Sequence, residues 1–177
     1  WLKPTMAIDV RLRLIHSSPR PLKHNTYVTC HTGSNEAIAR VRLLVEDKLA
    51  PGESTWAQLR LMSPLAIVKG DFFVIRSSES TLGGGTVLET HAKRHRRRHP
   101  RTMQHLAIME QGSARDIILN TIEMSQPRGF HSLVNQTNLH PKKAKQELER
   151  LASEGLIVFL EQQSTNSSAV FYSASGW

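Results

Sequence analysis

An all-β barrel followed by a separate α+β winged-helix domain is the fold class this sequence predicts, and three patterns predict it. Apolar and polar residues alternate through most of residues 1–90. The segment 91–101 holds six Lys or Arg and no acid. After residue 112 the apolar period changes from that of a strand to that of a helix.

In the first part, Ile8, Val10, Leu12 and Leu14 alternate with Asp9, Arg11 and Arg13, so one face of a strand is apolar and the other charged. Ala39, Val41, Leu43 and Val45 repeat the pattern against Arg40, Arg42 and Leu44. Ala57, Leu59 and Leu61 do so against Gln58, Arg60 and Met62. Tyr27–His31, Leu65–Val68, Phe72–Arg76 and Thr86–Leu88 supply further short strands. Turn-forming stretches separate them: Ser17-Ser18-Pro19-Arg20-Pro21, Thr32-Gly33-Ser34-Asn35, Ala50-Pro51-Gly52-Glu53, Lys69-Gly70-Asp71 and Gly83-Gly84-Gly85. Strands at this spacing predict a six-stranded antiparallel barrel over residues 1–90.

Residues 91–102 read as a basic linker whose like charges repel. The winged helix is expected over 103–177. Ser113 and Asp116 form a helix-start pair, and Ile117, Ile118, Thr121 and Ile122 make an apolar stripe ended by Pro127-Arg128-Gly129. Phe130 to Gln136 reads as a second helix. Pro141 opens a third, lined by Ala144, Leu148, Leu151 and Ala152 and closed by Gly155 in a left-handed cap. Leu156–Leu160 and Val170–Tyr172 form a hairpin around a polar loop from Gln162 to Ser168.

The formal charge is +8 over 177 residues, and it is unevenly placed. Residues 1–90 carry eleven basic and eight acidic side chains, whereas 102–177 carry six and seven, so most of the excess lies in the short basic segment. Such an excess points to a polyanion, most often a nucleic acid. The single Cys30 excludes an internal disulfide, and its place in an apparent strand reads as a buried, inert thiol. No run of 18 apolar residues exists, so no segment reads as a membrane-spanning helix. Trp1 lacks an initiator Met before it and no signal peptide follows, so the chain reads as a piece of something longer.

Three stretches of the barrel resemble the third domain of the selenocysteine-specific translation elongation factor family. The first is Pro21–Val28 with Arg40-Val41-Arg42-Leu43-Leu44. The second is Leu49–Glu53 with Ala57–Leu61. The third is Gly70–Arg76 running into Thr81-Leu82-Gly83-Gly84-Gly85-Thr86-Val87-Leu88. Their order and spacing carry the resemblance more than any one of them. It implies a GTPase domain and a second barrel upstream, with GTP and Mg2+ as cofactors of the whole protein. It also implies selenocysteinyl-tRNA and the ribosome as partners, and further winged helices downstream that bind a hairpin in selenoprotein mRNA. A cytoplasmic monomer with no membrane partner is expected. The chain itself contains no Gly-x-x-x-x-Gly-Lys-Ser/Thr run, so neither nucleotide nor any other cofactor is expected here, and no catalytic constellation is found.

By the same resemblance, Arg76, Ser77 and Thr81, with the backbone at Gly83 and Gly84, are candidates for sugar-phosphate contacts. An Arg fork suits phosphate, and hydroxyls and amides reach the same backbone. The plainer alternative is a hairpin turn whose glycines only supply unusual dihedrals. Lys93, Arg94, Arg96, Arg97, Arg98 and Arg101 are candidates for sequence-blind phosphate contact, against a solvated linker. His91, His95 and His99 share one face if that segment is helical. The neighbouring arginines and the lack of a supporting carboxylate argue against a metal there, and none is expected. Lys142, Lys143 and Lys145 on the third helix are weaker RNA candidates, because Glu147, Glu149 and Glu154 follow them and a structural spacer is the better reading. The rival function is a DNA-binding winged-helix regulator with a β-barrel sensor domain, which the acidic balance of 102–177 disfavours.

Overall fold

The alternating segments become strands in a computed structural model, which describes residues 3–124, 128–159 and 170–174. They are β1 (Thr5–Leu14), β2 (Leu22–Lys23), β3 (Tyr27–Thr32), β4 (Asn35–Leu43), β5 (Lys48–Leu49), β6 (Ser54–Leu65), β7 (Phe72–Arg76) and β8 (Thr81–Thr90). Six of them close an antiparallel barrel in the order β1-β6-β4-β3-β7-β8, with β8 pairing back onto β1. The short β2 and β5 pair with each other. The inward set is the one the alternation predicts except at the end of β4, which stops at Leu43, so that Leu44 is buried and Val45 only half-buried. Ile8, Val10, Leu12, Leu14, Ala39, Val41, Leu43, Ala57 and Leu59 have no exposed surface. Cys30 lies in the same core, and burial pushes its thiol up to about 11, which keeps it protonated and inert at neutral pH.

Two expectations about the strands are corrected. Leu65–Val68 is not a strand of its own: Leu65 ends β6, and the irregular chain after it plugs Ile67 into the core. Gly83-Gly84-Gly85 is not a turn. All three lie inside β8, and none has the positive φ that a glycine turn exploits. Gly84 pairs with Arg13 on β1 and with Val74 on β7. A Cβ built on Gly83 or Gly85 would penetrate the carbonyl oxygens of Arg13 and Arg11, and one on Gly84 that of Phe73. The glycines therefore serve close backbone approach on both sides of one strand.

Residues 91–99 do not form a solvated linker. They lie along the outside of the barrel as a strap, with the first compact unit extending through Leu106, beyond the boundary expected at residue 90. The Ala92 N–H donates to the Ala7 carbonyl at 3.1 Å and the Arg98 N–H to the Leu44 carbonyl at 2.9 Å. A helix that the periodicity did not reveal, α1 (Pro100–Gln111), follows, with Pro100 in its first turn, where a missing N–H costs nothing.

The second unit runs from Ala107. It contains α2 (Ala114–Met124), β9 (Arg128–Gly129), α3 (Phe130–Thr137), α4 (Pro141–Ser153), β10 (Ile157–Phe159) and β11 (Val170–Ser173). The strands form one antiparallel sheet in the order β10-β11-β9, so β9 adds a third strand to the expected hairpin. The core joins Ile118 and Ile122 of α2, Leu133 of α3, Ala144, Leu148 and Leu151 of α4, Ile157 and Phe171. Gly155 follows α4 at a φ of 71°, as a left-handed cap requires. The order of parts is that of a winged helix. Pro127, the Gln162–Ser168 loop and the terminal residues Trp1 and Trp177 lie outside the described residues.

The α2 start is a reciprocal cap. The Ser113 N–H donates to Asp116 Oδ2 at 2.9 Å, and the Asp116 N–H donates to Ser113 Oγ at 3.3 Å. Hydrogen bonds from Ser113 hold the Asp116 carboxyl below the usual carboxylate range. A depressed carboxyl stabilises the fold above its unfolded pKa, and that contribution is lost as pH falls through the folded value. Ser113→Ala should therefore raise the Asp116 pKa in an NMR titration. The variant's stability deficit should be full at pH 7 and should close in acid. Gly85→Ala should lower stability by about 1–3 kcal/mol in denaturant unfolding, because the clash is with backbone that cannot rotate away.

Candidate nucleic-acid interface

The strap sorts its cations by what they touch. The Arg97 guanidinium donates to the Leu43 carbonyl at 2.8 Å, the Glu46 carbonyl at 2.7 Å and Asp47 Oδ1 at 2.6 Å. Arg98 donates to the Val45 carbonyl and to Asp47 Oδ2, both at 2.8 Å. The two arginines hold the Asp47 carboxyl below its ordinary range, and they hold the strap to the end of β4. Arg94 and Arg96 are exposed, and with Arg42, His95 and Arg97 they line an open cleft of about 420 Å³. Arg42 beneath it is buried, donating to Gln58 Oε1 at 2.7 Å and to the His95 carbonyl at 3.1 Å. Burial holds its pKa below the ordinary value, and Arg94, Arg60 and Arg40 add to the effect. A cleft where guanidinium groups crowd one another favours an anion. The exposed Lys93 uses its carbonyl to accept from Gln58 Nε2 at 2.8 Å, and Arg101 is exposed on the first turn of α1.

The arginine-ended strand is placed as expected, but the turn after it is tighter. Arg76 ends β7, exposed, and pairs in register with Thr81, the exposed first residue of β8. The Ser77 N–H donates to the Ser80 carbonyl at 2.9 Å, and the Ser80 N–H donates to Ser77 Oγ at 3.0 Å. The Ser77 hydroxyl is thus engaged inside the turn. Gly83 and Gly84 do not offer their backbone to a ligand, because β8 pairs there with β1 and β7 at once. In their place the fold brings up a second segment. Ser18 to Lys23, with Thr26 and Tyr27, faces Ser77 to Ser80 across a groove of about 350 Å³. Arg20, Lys23 and the largely exposed Tyr27 therefore stand near the turn. Sequence reasoning missed them. Arg20 between two prolines and the aromatic Tyr27 four residues after Lys23 were the available signals.

Other candidates are dispersed or reassigned. Lys142, Lys143 and Lys145 are exposed on α4, and Lys145 lies 3.9 Å from Glu149. Trp56, an aromatic that could otherwise stack on a base, is half-buried, with the Arg11 guanidinium 5.6 Å from its ring centre, so that face of the indole is already covered. His91, His95 and His99 share no helix face; His95 alone is buried, bonded to Asp9. Among the described residues no helix is long and apolar enough to cross a membrane.

Comparison with known proteins agrees with the barrel. Residues 9–94 match the family described as the selenocysteine-specific elongation factor, beta-barrel domain. That span reaches past β8 to include the strap residues through Arg94. A selenocysteine-specific elongation factor of Desulfomicrobium baculatum is 34% identical over 131 residues, which is 73% of this chain and 20% of that protein. The chain thus spans about a fifth of the length of the relative it matches. Neither match points to a DNA-binding regulator. The chain belongs to the selenocysteine-specific elongation factor family, whose β-barrel domain it carries over residues 9–94.

Proposed function

We propose that the barrel and its strap bind the sugar-phosphate backbone of selenocysteinyl-tRNA, as part of a factor that inserts selenocysteine at UGA codons on the ribosome. The observation that carries this reading is the division of labour in the strap. Arg97 and Arg98 are consumed in holding it down, while Arg94 and Arg96 stand exposed around an open, cation-lined cleft. Arg101 extends the same charge, and Lys93 adds to it. Arg76, Thr81, Arg20 and Lys23 supply a second set of contacts at the far turn, with Ser77 shaping that turn. All of these would address phosphate and ribose, so binding would be steep in salt and indifferent to sequence.

The winged helix serves as a spacer in this reading. Its α4 lysines are followed by Glu147 and Glu149, and Arg115 is paired with Glu154 at 2.6 Å, which leaves no concentrated basic face among the described residues. Recognition of a hairpin in selenoprotein mRNA would fall to winged helices outside this chain. Nucleotide chemistry, with GTP and Mg2+, would fall to a GTPase domain of the whole cytoplasmic protein. This part would bind neither and catalyse nothing.

Binding of selenocysteine tRNA and of an unrelated DNA duplex, measured across salt concentrations, tests the proposal. Arg94→Ala and Arg96→Ala should each weaken tRNA binding and flatten the log-affinity against log-salt slope by about one. Both variants should melt like the parent. Arg97→Ala should instead lower the melting temperature, because it releases three bonds to the end of β4. Equal affinity for tRNA and DNA, unmoved by Arg94→Ala, Arg96→Ala or Arg76→Ala, would overturn the assignment.

A further inference from the structure

We propose that Asp9, Glu89 and His95, completed by His105, form a buried binding site for a divalent cation of the zinc class that fastens the strap to the barrel. Asp9 and Glu89 are direct register partners on β1 and β8, and both side chains lie on the outer face, away from the apolar interior. That face is normally solvated, but here the strap covers it. Asp9 has no exposed surface, Glu89 is 6% exposed, His95 9% and His105 3%. Two carboxylates opposite one another across a strand pair repel. Burying both sharpens the problem, and burial together with the neighbouring Glu89 pushes the Asp9 pKa up. One doubly charged cation would neutralise both.

The donor atoms are already gathered. One ligand atom from each of Asp9, Glu89 and His95 lies within 4.8 Å of the other two. His95 Nε2 meets Asp9 Oδ2, and His105 Nε2 lies 2.6 Å from Glu89 Oε2. The two imidazole rings are 6.2 Å apart. Two imidazoles and two carboxylates are a donor set suited to zinc. In the metal-free form hydrogen bonds hold the two imidazole–carboxylate pairs, and a cation would displace their protons. A supporting outer contact exists: Gln58 Nε2 donates to Asp9 Oδ1 at 3.0 Å, leaving Oδ2 for the centre. The β1–β8 register shifts between Asp9 and Val10, an irregularity of the kind that re-aims a side chain. The nearby positive groups leave room. Arg42 is turned to Gln58 and to the His95 carbonyl. Three donors, from β1, β8 and the strap, are gathered, and His105 of α1, bonded to Glu89, would supply the fourth and leave no open position, as in structural zinc sites. It would also fix the backbone of His95, between Arg94 and Arg96.

The test is metal content, which is independent of the RNA reading. The tag-free 177-residue chain, dialysed after exposure to zinc, should carry about one zinc per chain by plasma mass spectrometry. Cobalt in its place should give visible d–d absorption, and a chelator should lower the melting temperature. Glu89→Gln and Asp9→Asn should lose the metal and the cobalt bands, whereas His91→Ala and His99→Ala should keep both. If a variant fails to fold, the parent chain still decides, through its stoichiometry and cobalt spectrum. A metal-free parent indifferent to zinc and chelator, or zinc lost with His91 and His99 and retained in Glu89→Gln, would overturn the proposal.

Discussion

Closure of the barrel depends on how near β8 can come to its two neighbours. β8 pairs with β1 on one side and β7 on the other, and over Gly83 to Gly85 the flanking carbonyls leave no room for a Cβ. Three consecutive residues without side chains let the last strand settle between strands from opposite ends of the barrel's chain. Everything outside the barrel wall follows from that seam. The Ser77–Ser80 turn is held at one end of it, and Asp9 faces Glu89 towards the other.

At that second end the outer wall is not simply a polar surface. Asp9, Gln58, Arg42 and Glu89 are polar residues on β1, β6, β4 and β8, the alternation places them outward, and all four are buried. What buries them is the strap, and what makes the burial tolerable is that each has a partner: His95 for Asp9, His105 for Glu89, and Gln58 linking Asp9, Arg42 and the Lys93 carbonyl. A segment that would repel itself in isolation is thereby held in one path. Two arginines are spent in the anchoring, and two, Arg94 and Arg96, are left exposed around the cleft.

The winged-helix unit follows a different logic. Its core is built from short-range helical stripes, and among its described surface charges Arg115 pairs with Glu154, Lys145 with Glu149 and Arg150 with Glu147. Local capping does much of the work, from the Ser113–Asp116 pair to Gly155. Among its described residues no dense basic face forms.

The interior of the barrel and the helices of the second unit were legible in the sequence because both obey a period. Ile8, Val10, Leu12 and Leu14, or Ala144, Leu148 and Leu151, announce a buried face through spacing alone. The helix Pro100–Gln111 was not legible, since its polar composition shows no clear stripe. Nor was the role of the glycines: a run of three reads as a turn unless the strands on both sides are known. The individual arginines of 94–98 are chemically identical, and nothing local distinguishes the anchors from the exposed ones. That distinction, and the meeting of Asp9 with His95 across 86 positions of chain, depends on contacts between residues far apart in sequence. Periodicity determines which face of an element is buried; only closure of the barrel decides what the other face will meet.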